Sequence, residues 1–222
     1  MRGLSGWLRV VAAAVLLSFV GAGAFAQGQP VPGKDFQMIT PPQPTESGSK
    51  VEIIEFFSYA CPHCATLEGP LEAWLKKKPA DVEFKRVPTV FHESWAPFAQ
   101  MYYALEAIGQ VDRLHGEVFK AVHEQNIRLQ DPKIMADWVA SKGVDRQKFL
   151  DAYNSFSVKS RTQRSNDLSR RYNVEFTPEF VVNGRFLTGP SMTSTGNSVD
   201  FDRFFRVLDQ LIATSRKPTG RK

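Results

Sequence analysis

Cysteine is scarce in this chain: its 222 residues contain only two, Cys61 and Cys64. Two cysteines cannot build a disulfide-dense scaffold, so the fold has to rest on a hydrophobic core, which a chain of this length can bury. Histidine numbers only four, and His92, His115 and His123 do not stand at metal-ligand spacing to the cysteine pair. Long hydrophobic runs are missing too. The longest, Val10 to Val20, covers eleven residues and is broken by Ser18, well short of the roughly 20 needed to span a bilayer. No internal repeat is visible. Nor does the body of the chain carry an excess of one charge. The formal charge is +5, but two bases lie in the first 26 residues and four in the last ten, and setting these aside leaves 22 bases against 23 acids. A near-neutral body argues against a phosphate-gripping nucleic-acid binder. Arg161, Arg164, Arg170 and Arg171 do cluster, but Asp167 interrupts them and their spacing spreads them round a solvated helix face. Hydrophobic and charged fractions of 42% and 23% exclude wholesale disorder.

What is present begins with an export signal. Arg2 and Arg9 precede the short apolar run, and Ala24-Phe25-Ala26 forms an A-x-A cleavage site, so residues 1–26 read as a signal peptide cut after Ala26. A membrane anchor is the competing reading, and Gly21, Gly23 and the cleavage site count against it. Export places the mature chain where thiols tend to be oxidised. Residues 27–34, with Pro30 and Pro32, read as a loose leader. Phe36 to Thr40 fits a short strand, ended by Pro41, Pro42 and Pro44 and the loop Ser47-Gly48-Ser49.

The chemistry centres on the next segment. Lys50 to Phe57 is β-branched and aromatic and predicts a buried strand. It runs into Ser58-Tyr59-Ala60-Cys61-Pro62-His63-Cys64, and then Leu67, Leu71, Trp74 and Leu75 mark a helix. Gly69-Pro70 predicts a kink in that helix, and Lys76 to Lys78 with Pro79 predict its end. Pro62 suits the first helical position, where its missing N–H costs nothing. Cys61 then lies at the helix N-terminus, where free N–H groups and the macrodipole favour a thiolate, the nucleophile of disulfide exchange. His63 adds a donor nearby. Cys64, one turn on, is placed to close a small disulfide and to act as the more buried, resolving thiol. Three other readings compete with a redox dithiol: a structural disulfide, half of a zinc site, and a metal-carrying Cys-x-x-Cys module. A bridge closing so short a loop removes little entropy from the unfolded chain. No second cysteine pair exists to complete a zinc site.

The segment Glu55-Phe56-Phe57-Ser58-Tyr59-Ala60-Cys61-Pro62-His63-Cys64 resembles the active-site segment of the DsbA family of periplasmic thiol:disulfide oxidoreductases. Asp151-Ala152-Tyr153-Asn154-Ser155-Phe156 with Val158-Lys159-Ser160, and Thr177-Pro178-Glu179-Phe180-Val181-Val182-Asn183-Gly184, extend the resemblance, which covers roughly Phe36 to Ile212. A depressed cysteine pKa and an oxidising disulfide are established for that family, so here they are implications of the resemblance and not readings of spacing. The resemblance implies a thioredoxin-like α/β fold carrying an inserted all-helical domain. It also implies a site in which Thr177 and Pro178 face Cys61, with Pro178 in a tight turn, and in which the Thr177 backbone pairs with an extended substrate chain. Glu55 stands where the family has a buried acid that assists proton transfer near the resolving cysteine, with Lys85 as its expected partner; read alone, Glu55 is equally an outward-facing glutamate. Threonine replaces the valine frequent before this proline, which bears on oxidising strength. The implied partners are reduced or unfolded exported proteins and a membrane-embedded, quinone-linked reoxidase of the DsbB type. The implied location is the periplasm, with no cofactor, no nucleic acid and a monomeric state. A reductase or isomerase on the same fold, or a redox-inert metal carrier, are the alternative activities.

Periodicity supplies the rest. Phe180 to Val182, Asn183-Gly184 and Arg185 to Leu187 predict a hairpin. Between Cys61 and Pro178 lie helical stripes. The first is Phe98, Met101, Tyr102, Leu105 and Ile108, and the second is Val111, Leu114, Val118, Phe119 and Val122. A third, capped by Asp131-Pro132, holds Ile134, Met135, Trp138 and Val139, and a fourth, opened by Asp145, holds Phe149, Leu150, Tyr153 and Phe156. His92 carries no functional signal, and His115 and His123, in helical segments, read as surface or rim residues. Tyr59 and the residues round Phe176 are candidates for either a substrate groove or core. The expected organisation is thioredoxin-like over 35–93, inserted helices over 94–161, thioredoxin-like again over 162–214 with a last helix through Phe204, Val207, Leu208 and Leu211, and a basic tail over 215–222.

Overall fold

The computed structural model of the chain describes residues 29–194 and 198–216. The expected signal peptide and all but the first two residues of the expected basic tail lie outside the described residues.

The run expected as a buried strand forms β2 (Val51–Phe57), buried along its whole length. It leads through the cysteine motif into α1 (Pro62–Leu75) and on to β3 (Val82–Pro88), which pairs with β2 in parallel. Parallel neighbours need such a crossover, and a helix supplies it. α1 continues through Pro70 and ends at Leu75, so the three lysines lie just beyond it. The short β1 (Gln37–Met38) and the hairpin of β4 (Glu179–Val182) and β5 (Phe186–Thr188) complete a five-stranded sheet in the order β1-β5-β4-β2-β3. The hairpin turn holds Asn183 and Gly184 at φ of 51° and 65°, the left-handed pair that a two-residue turn requires. Gly184 is needed for space as well, because a Cβ there would meet the Gln43 carbonyl oxygen at 2.1 Å.

Strand alternation sends side chains to two faces. Ile53, Phe180 and Val182 pack against Leu67 and Leu71 of α1 and Phe204, Leu208 and Leu211 of the last helix. Ile54, Phe56, Val181 and Leu187 point the other way, onto Tyr172 and Val174. Each fully buried leucine or phenylalanine here contributes roughly 2 kcal/mol through removal from water.

Between β3 and β4 stand five helices, α2 (Ala96–Ala107), α3 (Val111–His123), α4 (Pro132–Ser141), α5 (Arg146–Asn154) and α6 (Phe156–Arg171). The short α7 (Pro190–Thr193) and the long α8 (Phe201–Ser215) follow the hairpin. Asp131 caps α4 by accepting from the Lys133 and Ile134 amides, and Asp145 caps α5 through the Lys148 amide. The expected stripes are buried or packed half-buried against the core, with one correction: Phe156 is 86% exposed. The helical run breaks at Ser155, whose extended backbone ends α5 and whose hydroxyl accepts from the Val158 amide to start α6. Phe156 therefore opens a new helix on a different heading. α6 runs unbroken across the boundary expected between 161 and 162. Arg164, Arg170 and Arg171 lie exposed on it, whereas Arg161 packs over the Tyr103 ring at 4.3 Å and pairs with Glu106.

The insert shares one core with the active-site segment. Phe57, Tyr59, Cys61 and Cys64 belong to the same buried cluster as Met101, Leu105, Val118 and Trp138. The fold is thus thioredoxin-like, with helices inserted over the end of the sheet from which the cysteines emerge.

Candidate active site

β2 ends at Phe57, and the chain turns on Ser58. The Cys61 amide donates to the Ser58 carbonyl at 3.0 Å, and the Ala60 amide to the Ser58 hydroxyl at 3.2 Å. That turn makes Cys61 the N-cap of α1, with Pro62 in the first helical position, and the Cys64 amide points at the Cys61 sulfur at 3.4 Å. The two thiols are unbridged. Pro62 and His63 are exposed beside them, with Cys61 4% and Cys64 1% exposed. Across the sheet, the Thr177–Pro178 peptide is cis, and the Thr177 carbonyl oxygen stands 3.2 Å from the Cys61 sulfur.

The two sulfurs are treated oppositely. A hydrogen bond from Cys64 is the largest influence on Cys61. Burial opposes it, and the Thr177 side chain and the amides of Cys64 and His63 add further stabilisation of the thiolate. The net effect lowers the Cys61 pKa to about 5. Burial, with the neighbouring Cys61 sulfur and the Glu55 charge, pushes the Cys64 thiol well above the usual cysteine value. His63 acts on Cys61 through its backbone amide.

Glu55 is buried, close enough for its charge to act on Cys64. Burial pushes its pKa up to about 8, against the pull of Arg86. The expected partner, Lys85, is wrong. Lys85 bonds Glu52 at 2.8 Å, while Arg86 Nε donates to Glu55 at 3.1 Å. Alternation explains it: the parallel register sets Glu55 beside Arg86, and Lys85, one residue earlier, projects to the opposite face with Glu52. The same guanidinium reaches Glu68 at 3.3 Å and Glu72 at 2.8 Å on α1.

One further reading is corrected, that of His115, while His123 stays at the rim. His115 is 3% exposed, its Nδ1 2.7 Å from the Tyr59 hydroxyl and its Nε2 3.4 Å from Glu68. His123 is half-buried and its Nε2 sits 2.8 Å from the Tyr59 carbonyl oxygen. Both histidines face the active-site segment because α3 packs on α1, a tertiary contact with no local signal. Tyr59 is core, while Phe176 is 61% exposed next to Thr177. Glu179 was not singled out by its sequence context. It is buried, and its carboxylate accepts from the Glu175 and Phe176 amides at 3.0 and 3.4 Å, holding the loop that carries Thr177. Its place directly after Pro178 in an apolar strand was the available clue.

Among the described residues no three histidine, cysteine or acidic side chains gather as a metal site, and no helix is long and apolar enough to cross a membrane. The thioredoxin family model matches residues 46–201. A thiol:disulfide interchange protein DsbA of Bordetella parapertussis is 41% identical over 209 residues, covering 94% of this chain and 97% of the relative. That of Pseudomonas aeruginosa is 40% identical over 154 residues, covering 69% and 73%. A crystal structure of Pseudomonas aeruginosa DsbA superposes with a TM-score of 0.77 at 35% identity, covering 83% of this chain and 93% of that one. The Xylella fastidiosa oxidoreductase DsbA gives 0.76 at 34%, covering 85% and 99%. Such likeness extends over both the sheet and the inserted helices, and brings with it the expectation of substrate proteins and of a reoxidising partner. With a thiolate-favouring Cys61 and a buried Cys64 one helical turn apart, the chain belongs to the DsbA family of disulfide-forming thiol:disulfide oxidoreductases.

Proposed function

We propose that the mature chain works in the periplasm, after loss of residues 1–26, by donating the Cys61–Cys64 disulfide to reduced or unfolded exported proteins. A substrate thiolate attacks the Cys61 sulfur. The Cys61–Cys64 bond breaks, Cys64 leaves, and the Glu55 carboxylic acid supplies its proton. A second substrate thiolate then attacks the substrate sulfur of the mixed disulfide, and Cys61 leaves as a thiolate. Two electrons have passed to the enzyme, and the substrate holds a new disulfide. Pro62 fixes the start of α1, the amide of His63 stabilises the Cys61 thiolate, and Thr177 offers its backbone to an extended substrate. Pro178 has no N–H to compete there. A membrane-embedded, quinone-linked partner of the DsbB type takes the electrons. The enzyme acts as a monomer without a bound cofactor or nucleic acid.

One observation carries this reading: Cys61 is lowered to about 5 while Cys64 is raised. A thiol with a pKa of about 5 is almost wholly ionised at pH 7, which favours the reduced enzyme by roughly 3 kcal/mol over a dithiol of ordinary pKa, or roughly 60 mV of oxidising strength. Titrating the thiolate absorbance of reduced protein, with Cys61→Ser as control, is expected to give a midpoint near 5. The redox equilibrium with glutathione is expected to lie toward the reduced enzyme. A Cys61 midpoint at or above the ordinary cysteine value of about 8.5 would remove the oxidant reading.

A further inference from the structure

One guanidinium, Arg86, serves three carboxylates: Glu55 from β2, and Glu68 and Glu72 from α1. One positive charge cannot hold three buried or half-buried anions equally, so a proton has to reside on one of them. Glu72 is 46% exposed and open to water. The choice falls between Glu55 and Glu68, which are almost equally deprived of solvent at 3% and 12% side-chain exposure. The difference between them is His115. Glu55 has Arg86 alone, whereas Glu68 has Arg86 and the imidazole.

The tautomer follows from the hydrogen bonds. Burial lowers the His115 pKa, so the ring carries one proton at neutral pH. If that proton sat on Nδ1, the Tyr59 oxygen would accept it and the Tyr59 proton would have no acceptor among the described residues, and Nε2 would present a lone pair to a carboxylate. With the proton on Nε2, the Tyr59 hydroxyl donates to Nδ1, and Nε2–H, which makes no well-aligned hydrogen bond, lies 3.4 Å from the Glu68 carboxylate as a charge–dipole contact. The aromatic cage of Phe57, Tyr102 and Phe119 round the ring fixes its orientation.

We propose that His115 is a positioning residue for disulfide exchange: turning its Nε2–H toward the Glu68 carboxylate while accepting the Tyr59 hydroxyl at Nδ1, it favours the negative charge on Glu68 and leaves the exchangeable proton of the cluster on Glu55. The inference rests on the reading of Glu55 as the proton donor to departing Cys64. In that step the Glu55 O–H bond breaks, a Cys64 S–H bond forms, and the carboxylate left behind is held by Arg86. The ionisable groups facing the cluster are Glu55, Arg86, Glu68, Glu72, Cys64, Tyr59 and, from α2, Tyr102. Asp112, Arg113 and Lys120 lie exposed on α3 along the groove between α1 and α3. That groove is also lined by Glu68, Glu72 and Arg86, and so gives the cluster its way to solvent.

The test is the pH profile of the oxidised, full mature enzyme reacting with a small monothiol, with each rate divided by the fraction of thiolate. The wild-type rate is expected to fall above about pH 8, where Glu55 loses its proton, and Glu55→Gln is expected to abolish that fall. His115→Phe removes the imidazole N–H that faces Glu68, so the proton moves toward Glu68 and the fall shifts down by about one pH unit. His115→Gln, which keeps an N–H for Glu68, restores the wild-type position. In a Glu68→Gln background, His115→Phe is expected to shift nothing further, whereas a purely structural role would act in either background. A fall abolished by Glu55→Gln but unmoved by a folded His115→Phe, or moved equally with Glu68 absent, overturns the role of His115 and leaves that of Glu55 standing. A fall that survives Glu55→Gln overturns both.

Discussion

At the residue scale, the reactivity of Cys61 is assembled from donors and not from cations. Its donors are the Cys64 thiol and amide, the His63 amide and the Thr177 side chain, while the Thr177 carbonyl only accepts. Thr177 is the member of this set that can be removed without touching the motif. A hydrogen bond to a charged group is worth about 1.5 kcal/mol, or roughly one pKa unit. Thr177→Val keeps the shape and loses the hydroxyl, so the Cys61 midpoint is expected to rise by about one unit. The glutathione equilibrium is expected to shift toward the oxidised enzyme by up to tenfold. An unchanged thiolate titration would show that the hydroxyl does not reach the sulfur. The two cysteines, the proline in the first turn and the Thr177–Pro178 approach were legible in the residues themselves or in their resemblance to the family. The partners of Glu55 were not. Lys85 and Arg86 are adjacent and equally basic, and only the register of β3 against β2 decides which of them turns inward. His115 was illegible for a related reason: its burial depends on α3 lying over α1.

At the element scale, two segments distant in sequence are brought to one sulfur. The turn from β2 into α1 was readable because strand, cap and helix follow one another locally. The hairpin was readable because Asn183-Gly184 permits little else. The break at Ser155 was not, since a serine cap inside an apolar stripe looks like one polar position of a longer helix. The loop before β4 depends on a feature signalled only by an acid in an apolar strand, the buried Glu179 carboxylate bridging the Glu175 and Phe176 amides. Glu179→Ala leaves those two N–H groups without a partner in a partly buried loop, a loss of about 1–2 kcal/mol. It is expected to lower the melting temperature by several degrees. Amide hydrogen exchange at Glu175 and Phe176 is expected to speed up far more than in the β4 ladder. Equal acceleration across the sheet would mean that Glu179 holds the strand and not the loop.

At the scale of the whole molecule, redox chemistry and folding draw on the same free energy. Cys61 and Cys64 sit in the core that joins the sheet to the inserted helices, so whatever stabilises the reduced pair stabilises the folded reduced protein. Cys61 ionises more readily when folded, with its pKa lowered to about 5, than in the unfolded chain, where the value is about 8.5. A depressed folded value adds stability that is complete above the unfolded pKa and is lost as pH falls through the folded one. Glu55 works in the opposite sense. Its folded pKa of about 8 lies above its unfolded value, so its stabilising proton is lost as pH rises, but this acts on both redox forms and largely cancels between them. The difference in stability between reduced and oxidised protein is therefore expected to grow in favour of the reduced form from pH 5 to pH 7, by roughly 2 kcal/mol. Paired thermal melts of the two forms across this range measure it, with Cys61→Ser, which cannot form the thiolate, as the control that flattens the trend for the dithiol state. A difference independent of pH would detach the oxidising strength of the pair from the ionisation of Cys61. It would then have to come from strain in the disulfide form.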